Sequence, residues 1–197
     1  MLRNGRWQPM SEPINPDRQI FGAFHSGVGL AASFADEYAK HFNEAVGLIP
    51  CADGGTSIRE WQPGDFLFDH ALAQARLAIR SSDIIGILWH QGETDAKLQT
   101  ADYTEKLRTV VHNFRRDLHL DNDVPFIAGD MASFYREDIR ENIGIVDQAL
   151  ETLVKEEPSF GCVTTKDMMH RGDNLHFDTE SLHKLGERYF KAYQQLI

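Results

Sequence analysis

The sequence predicts an α/β fold, a three-layer sandwich of helices around a central parallel sheet, and three observations carry that prediction. Helical hydrophobic periodicity and short apolar runs alternate along the chain. The apolar runs are continuous rather than alternating, as in strands covered on both faces. The segments between them are long enough to hold the crossover helices that parallel pairing requires. With 197 residues and 42% hydrophobic content, the chain suffices for one core, so residues 1–197 are expected to form a single domain.

The elements follow in order. Residues 1–29 are rich in Pro, Gly, Asn and charge and sustain no period, so they read as loop. Leu30, Phe34, Tyr38 and Phe42 recur on one helical face, and the glycine-bounded run from Val46 to Cys51 reads as a buried strand. A second helix carries Phe68, Ala71, Leu72, Ala75 and Ile79, and leads into an apolar strand, Ile84 to Trp89. Tyr103, Leu107, Val110, Val111, Phe114 and Leu118 mark a third helix before a strand from Val124 to Ala128. Ile143, Val146, Leu150 and Leu153 mark a fourth before Phe160 to Thr164. Leu182, Leu185, Tyr189, Phe190, Tyr193 and Leu196 mark the last helix, opened by the N-cap candidates Asp178 and Thr179.

Thirty acidic against twenty basic residues give a formal charge of -10, a field that repels phosphate backbones and anionic membrane surfaces, so neither nucleic acid nor membrane is expected as a partner. No run approaches the roughly 18 apolar residues that span a bilayer. The opening residues lack a secretory pattern, which places the chain as given in the cytoplasm. Cys51 and Cys162 lie far apart in or beside apolar runs and read as buried free thiols.

In parallel α/β sheets ligands sit beyond the carboxyl ends of the strands, so the residues just after each strand carry the chemistry. Asp53-Gly-Gly-Thr-Ser-Ile58 offers two glycines that let backbone N–H groups approach an anion; an ordinary tight turn is the alternative. Trp89-His-Gln-Gly-Glu-Thr-Asp95 packs a histidine, an amide and two carboxylates into one strand-to-loop junction. Gln91 is a candidate donor to a developing oxyanion, Glu93 a candidate anchor, and His90 a supporting neighbour; on the plainer reading Trp89 fills the core and Glu93 and Asp95 cap the next helix at the surface. Asp173-Asn-Leu-His176 sets a carboxylate three residues before a histidine, where it can bond Nδ1–H and leave Nε2 to take a proton from a hydroxyl nucleophile. The other seven histidines receive no role.

These three blocks, read as Gly47 to Trp61, Gly86 to Ala96 and Asp173 to Asp178, resemble the sialate O-acetylesterase and acetylxylan esterase family (carbohydrate esterase family 6) of the SGNH-type hydrolases. The resemblance runs nearly end to end, taking in Arg3-Asn-Gly-Arg-Trp7, Glu12-Pro13 and Leu185-Gly-Glu-Arg-Tyr189. It implies a flavodoxin-like sandwich and an acetylated carbohydrate as substrate, with no metal or other cofactor. It implies His176 as general base, Asp173 as its partner, and the Gly55 N–H and Gln91 amide as the oxyanion hole.

That family opens with a strand running into Gly-Gln-Ser-Asn, whose serine is the nucleophile, and no such run occurs here. Neither Ser57 nor Ser26 lies on a strand-to-helix elbow, so the nucleophile stays unassigned and is expected upstream of Met1, with the first strand missing from residues 1–197. A sheet without that strand would have an open slot, filled by another segment or by self-association. Two other readings stand beside the esterase: a non-catalytic carbohydrate-binding remnant, and a metallohydrolase using His90, Glu93, Asp173 and His176 as ligands.

Overall fold

A computed structural model describes residues 1–15 and 25–197, and it contains the expected parallel sheet. Strands β1 (Leu2–Arg3) and β2 (Arg6–Trp7) form a small hairpin, followed by helix α1 (Leu30–Phe42), a short 3-10 turn (Ile58–Trp61), α2 (Phe66–Ala78), β3 (Ile87–Trp89), α3 (Glu93–Leu98) and α4 (Tyr103–Leu118). Then come β4 (Phe126–Gly129), α5 (Glu137–Arg140), α6 (Gly144–Glu156), β5 (Phe160–Val163) and α7 (Thr179–Leu196). The order β3-β4-β5 is parallel throughout, with Trp89 opposite Ala128 and Ala128 opposite Cys162.

The period of two along β4 explains the layering. Cβ atoms added at Gly129 and Gly161 would meet Tyr189 and Leu196 of α7, so these positions face α7, and α1 packs over α7 in turn. Residues of the opposite parity, Phe126 and Phe160, stack on each other at 5.5 Å, and Phe126 meets Trp89 on the side where α2, α4 and α6 pack in series. Arg115, buried in α4, donates to the carbonyls of Val124 and Pro158 and so ties that layer to the strand entrances. No described helix is long and apolar enough to cross a membrane.

Several expectations need correction. Residues 1–7 are a hairpin rather than loop; its Asn4-Gly5 turn has both φ angles positive (50° and 70°), the two-residue geometry that asparagine and glycine favour, but its two-residue strands are too short to show alternation. The run from Val46 to Cys51 joins no strand ladder; the Leu48 carbonyl accepts from Leu2, and the hairpin packs against it through Trp7. Ile84 to Leu88 are half-buried rather than covered, and among the described residues no strand pairs with the outer edge of β3. Ile79 caps α2 at 38% exposure instead of extending its buried face. Of the two thiols, Cys51 is half-buried and Cys162 is exposed.

Candidate active site

Trp89, Gly129 and Val163 end their strands at the same edge of the sheet, so the loops that follow open onto one rim. The Asp53–Ile58 segment is tied to that rim by Asp95. This carboxylate, fully buried, accepts the Ile58 N–H at 2.7 Å and the Gln91 side-chain amide at 2.6 Å. The surface-cap expectation for Asp95 is therefore wrong: its two donors compensate part of the cost of burying a charge. Its position in the first turn of α3 aims the side chain back toward the preceding loop.

The same network occupies Gln91. Its amide nitrogen donates to Thr56 O at 3.0 Å and to Asp95, and its Oε1 accepts from Tyr103, whose hydroxyl also reaches the Gln91 carbonyl at 2.9 Å. A primary amide has two hydrogens, and both are engaged. Gln91 thus differs from the free oxyanion donor expected of it: it braces the turn containing Gly55, whose φ of +74° suits glycine. Thr56 is held from its other side by the Trp61 indole at 3.1 Å, and Ser57 closes a capping box with Glu60.

Glu93 bridges two loops. Its Oε1 accepts the hydroxyl of buried Tyr135 at 3.0 Å and its Oε2 accepts the Gly92 N–H, which joins the loop after β3 to the loop after β4. Burial, then the Glu93 charge, holds the Tyr135 hydroxyl protonated well above its ordinary range. His90 lies beneath. Tyr189 donates its only proton to Trp89 O at 2.6 Å, so at 3.2 Å His90 Nδ1 must be the donor and Nε2 carries the lone pair in a covered position. Burial lowers the His90 pKa despite the neighbouring Glu93 and Asp130 charges.

Asp173 and His176 meet on the loop before α7. His176 Nδ1 is 2.7 Å from Asp173 Oδ2, while Asp173 Oδ1 accepts the N–H of His176 at 2.8 Å and of Leu175 at 3.0 Å. Burial opposes ionisation of Asp173, but these donors and Arg171 outweigh it and hold the carboxyl well below the usual range. The loop is pinned by a bridge between His170 and Phe177 and by the Arg136 N–H on Asn174 O. Phe177, buried, packs on His90 at 5.5 Å and on Tyr135, which links the dyad loop to the loops after β3 and β4. The His176 side chain itself is 52% exposed, open to a substrate.

Five serines are engaged elsewhere: Ser33 and Ser82 donate to helix carbonyls, Ser81 accepts from Trp7, Ser57 caps its turn, and Ser181 accepts from Met169. Among the described residues no three His, Cys, Asp or Glu side chains converge as a metal site, so His90, Glu93, Asp173 and His176 are not assembled as ligands. Sequence reasoning missed Tyr103, Tyr135 and Arg171. Tyr103 looks like a core residue by periodicity and Tyr135 lies in a loop outside any periodic run, and only their hydroxyl partners reveal the polar role.

The sequence model of the family described as carbohydrate esterase, sialic acid-specific acetylesterase, matches residues 1–195. A probable carbohydrate esterase of Arabidopsis thaliana is 31% identical over 193 residues, covering 95% of this chain and 71% of that protein. An X-ray structure of an Arabidopsis thaliana protein superposes with a TM-score of 0.84 at 29% identity, over 96% of this chain and 77% of the other. The crystal structure of NanS shares the fold at a TM-score of 0.70 and 17% identity, over 91% and 75%. A carbohydrate acetylesterase from Xanthomonas citri does so at 0.66 and 19%, over 85% and 40%.

Proposed function

The chain belongs to the carbohydrate esterase, sialic acid-specific acetylesterase, family, and from that premise we propose that it supplies the base, the orienting acid and the oxyanion-binding turn of an O-acetylesterase acting on an acetylated sugar. The observation that carries the reading is the Asp173–His176 contact of 2.7 Å on the rim of the sheet, with Nδ1 held and the ring open to solvent. In the proposed reaction a serine outside residues 1–197 attacks the acetyl carbonyl while Nε2 of His176 takes its proton. The resulting oxyanion lies against the Gly55 N–H, on a turn whose shape Gln91 and Asp95 maintain; Gln91 adds its own donor only by releasing Thr56 or Asp95. Collapse expels the sugar oxygen, which receives the proton from His176, and water attacks the acetyl-enzyme with His176 again as base, releasing acetate. Glu93 and His90 support the rim, and neither is assigned a proton transfer.

The absence of a Gly-Gln-Ser-Asn run favours a second reading for residues 1–197 taken alone, a carbohydrate-binding remnant without turnover. One experiment separates the two. Acetate release from acetylated sugars is measured for the longest reading frame containing this chain and for residues 1–197. The esterase reading expects turnover in the former that His176→Ala abolishes. Retention of most activity in His176→Ala would show the base to be misassigned.

A further inference from the structure

Arg171 lies against both members of the dyad. Its Nε donates to Asp173 Oδ2 at 2.8 Å, and a terminal nitrogen lies 3.2 Å from His176 Nδ1, the atom that also faces Asp173 Oδ2 at 2.7 Å. Nδ1 cannot serve both partners. Protonated, it donates to Asp173 and meets the guanidinium hydrogen donor to donor; unprotonated, it accepts from Arg171 and loses its bond to Asp173. In the first tautomer Nε2 has a lone pair and can act as base. In the second Nε2 carries the hydrogen and cannot.

The nearby groups leave this contest to Arg171. His170 Nδ1 already accepts the N–H of Gly172 and of Asn174, and Arg136 is directed by its guanidinium toward Asp138. The Arg171 side chain is 60% exposed, a planar fork within reach of solvent in a chain whose formal charge is -10. A guanidinium prefers a carboxylate that it can hold through two parallel bonds over the lone pair of an imidazole.

From this arrangement we propose that Arg171 couples a carboxylate on the sugar to the tautomer of His176. In the free protein Arg171 competes with Asp173 for Nδ1. A carboxylate-bearing sugar draws the guanidinium away, Nδ1–H then belongs to Asp173 alone, and Nε2 becomes the base. A neutral sugar leaves the competition in place. The inference rests on His176 being the base of the proposed esterase, and it makes Arg171 a positioning residue that selects anionic over neutral acetylated sugars.

The test reads tautomers directly, by long-range ¹H–¹⁵N correlation of the His176 ring in residues 1–197 at alkaline pH. The probes are N-acetylneuraminate and, as a neutral sugar, xylobiose. N-acetylneuraminate should raise the Nδ1–H to Nε2–H ratio by about twofold or more, and xylobiose should leave it unchanged. Arg171→Gln should show the Nδ1–H form with or without sugar, and Arg171→Lys, a point charge without the fork, should lose the response to N-acetylneuraminate. Circular dichroism establishes that the variants fold; should Arg171→Gln fail to fold, the Arg171→Lys result decides. An unchanged ratio in wild type with N-acetylneuraminate, an equal response to xylobiose, or a response that survives Arg171→Lys overturns the coupling. Absence of acetate release would count against the esterase reading and leave this tautomer measurement intact.

Discussion

Gln91→Ala tests whether this amide braces the site or waits to receive an oxyanion. The substitution deletes a neutral donor to Thr56 O at 3.0 Å, a charge-assisted donor to buried Asp95 at 2.6 Å, and an acceptor for Tyr103 at 3.1 Å. Tyr103 retains the Gln91 backbone carbonyl and Asp95 retains the Ile58 N–H, so the main losses are the first two bonds. A neutral bond contributes about 1 kcal/mol and one to a charged group about 1.5–3 kcal/mol, which gives a destabilisation of about 2.5–4 kcal/mol. In a chain of this size each kcal/mol lowers Tm by about 2–4 °C, so the expected drop is about 5–15 °C. Thermal and urea unfolding followed by circular dichroism measure it. A waiting oxyanion donor would instead leave stability alone and cost about 3 kcal/mol in kcat. A Tm within about 2 °C of wild type would refute the brace.

Other outcomes follow from single contacts. His90 has a folded pKa below its unfolded value, so the unfolded chain takes up the proton first and stability falls as the pH drops below about 6.5; His90→Asn should flatten the urea midpoint between about pH 5 and 7, and an unchanged slope would contradict this. A Cβ at Gly186 would overlap the Leu30 carbonyl and Ser33, forcing α1 off α7, so Gly186→Ala should cost about 1–3 kcal/mol or more in the same unfolding assay. Tyr135→Phe removes the bond to Glu93 and should cost about 1–2 kcal/mol; a neutral result would make that contact dispensable. Burial, followed by the charges of Asp130, Asp147 and Glu151, pushes the Cys162 thiol up to about 12, so alkylation at neutral pH should be slow despite its exposure, and rapid labelling would oppose that environment.

The sequence by itself determined the layering and one half of the candidate site. Apolar periodicity placed α1, α4, α6 and α7 and continuous apolar runs placed the three strands of the sheet, and Asp173 and His176 were legible because their contact spans three residues of one loop. Tertiary structure alone decided the rest. Gln91 looks like an available donor until Thr56 and Asp95, 35 residues before it and four after, take both hydrogens. Asp95 reads as a surface cap until the turn at Ile58 arrives to cover it. Tyr103 and Tyr189 read as core because periodicity reports where a ring is buried, whereas the partner of its hydroxyl lies on another element. A local pattern fixes which face of an element is apolar; which polar atoms are left free on the rim depends on contacts between segments distant in sequence, and only the folded chain brings those together.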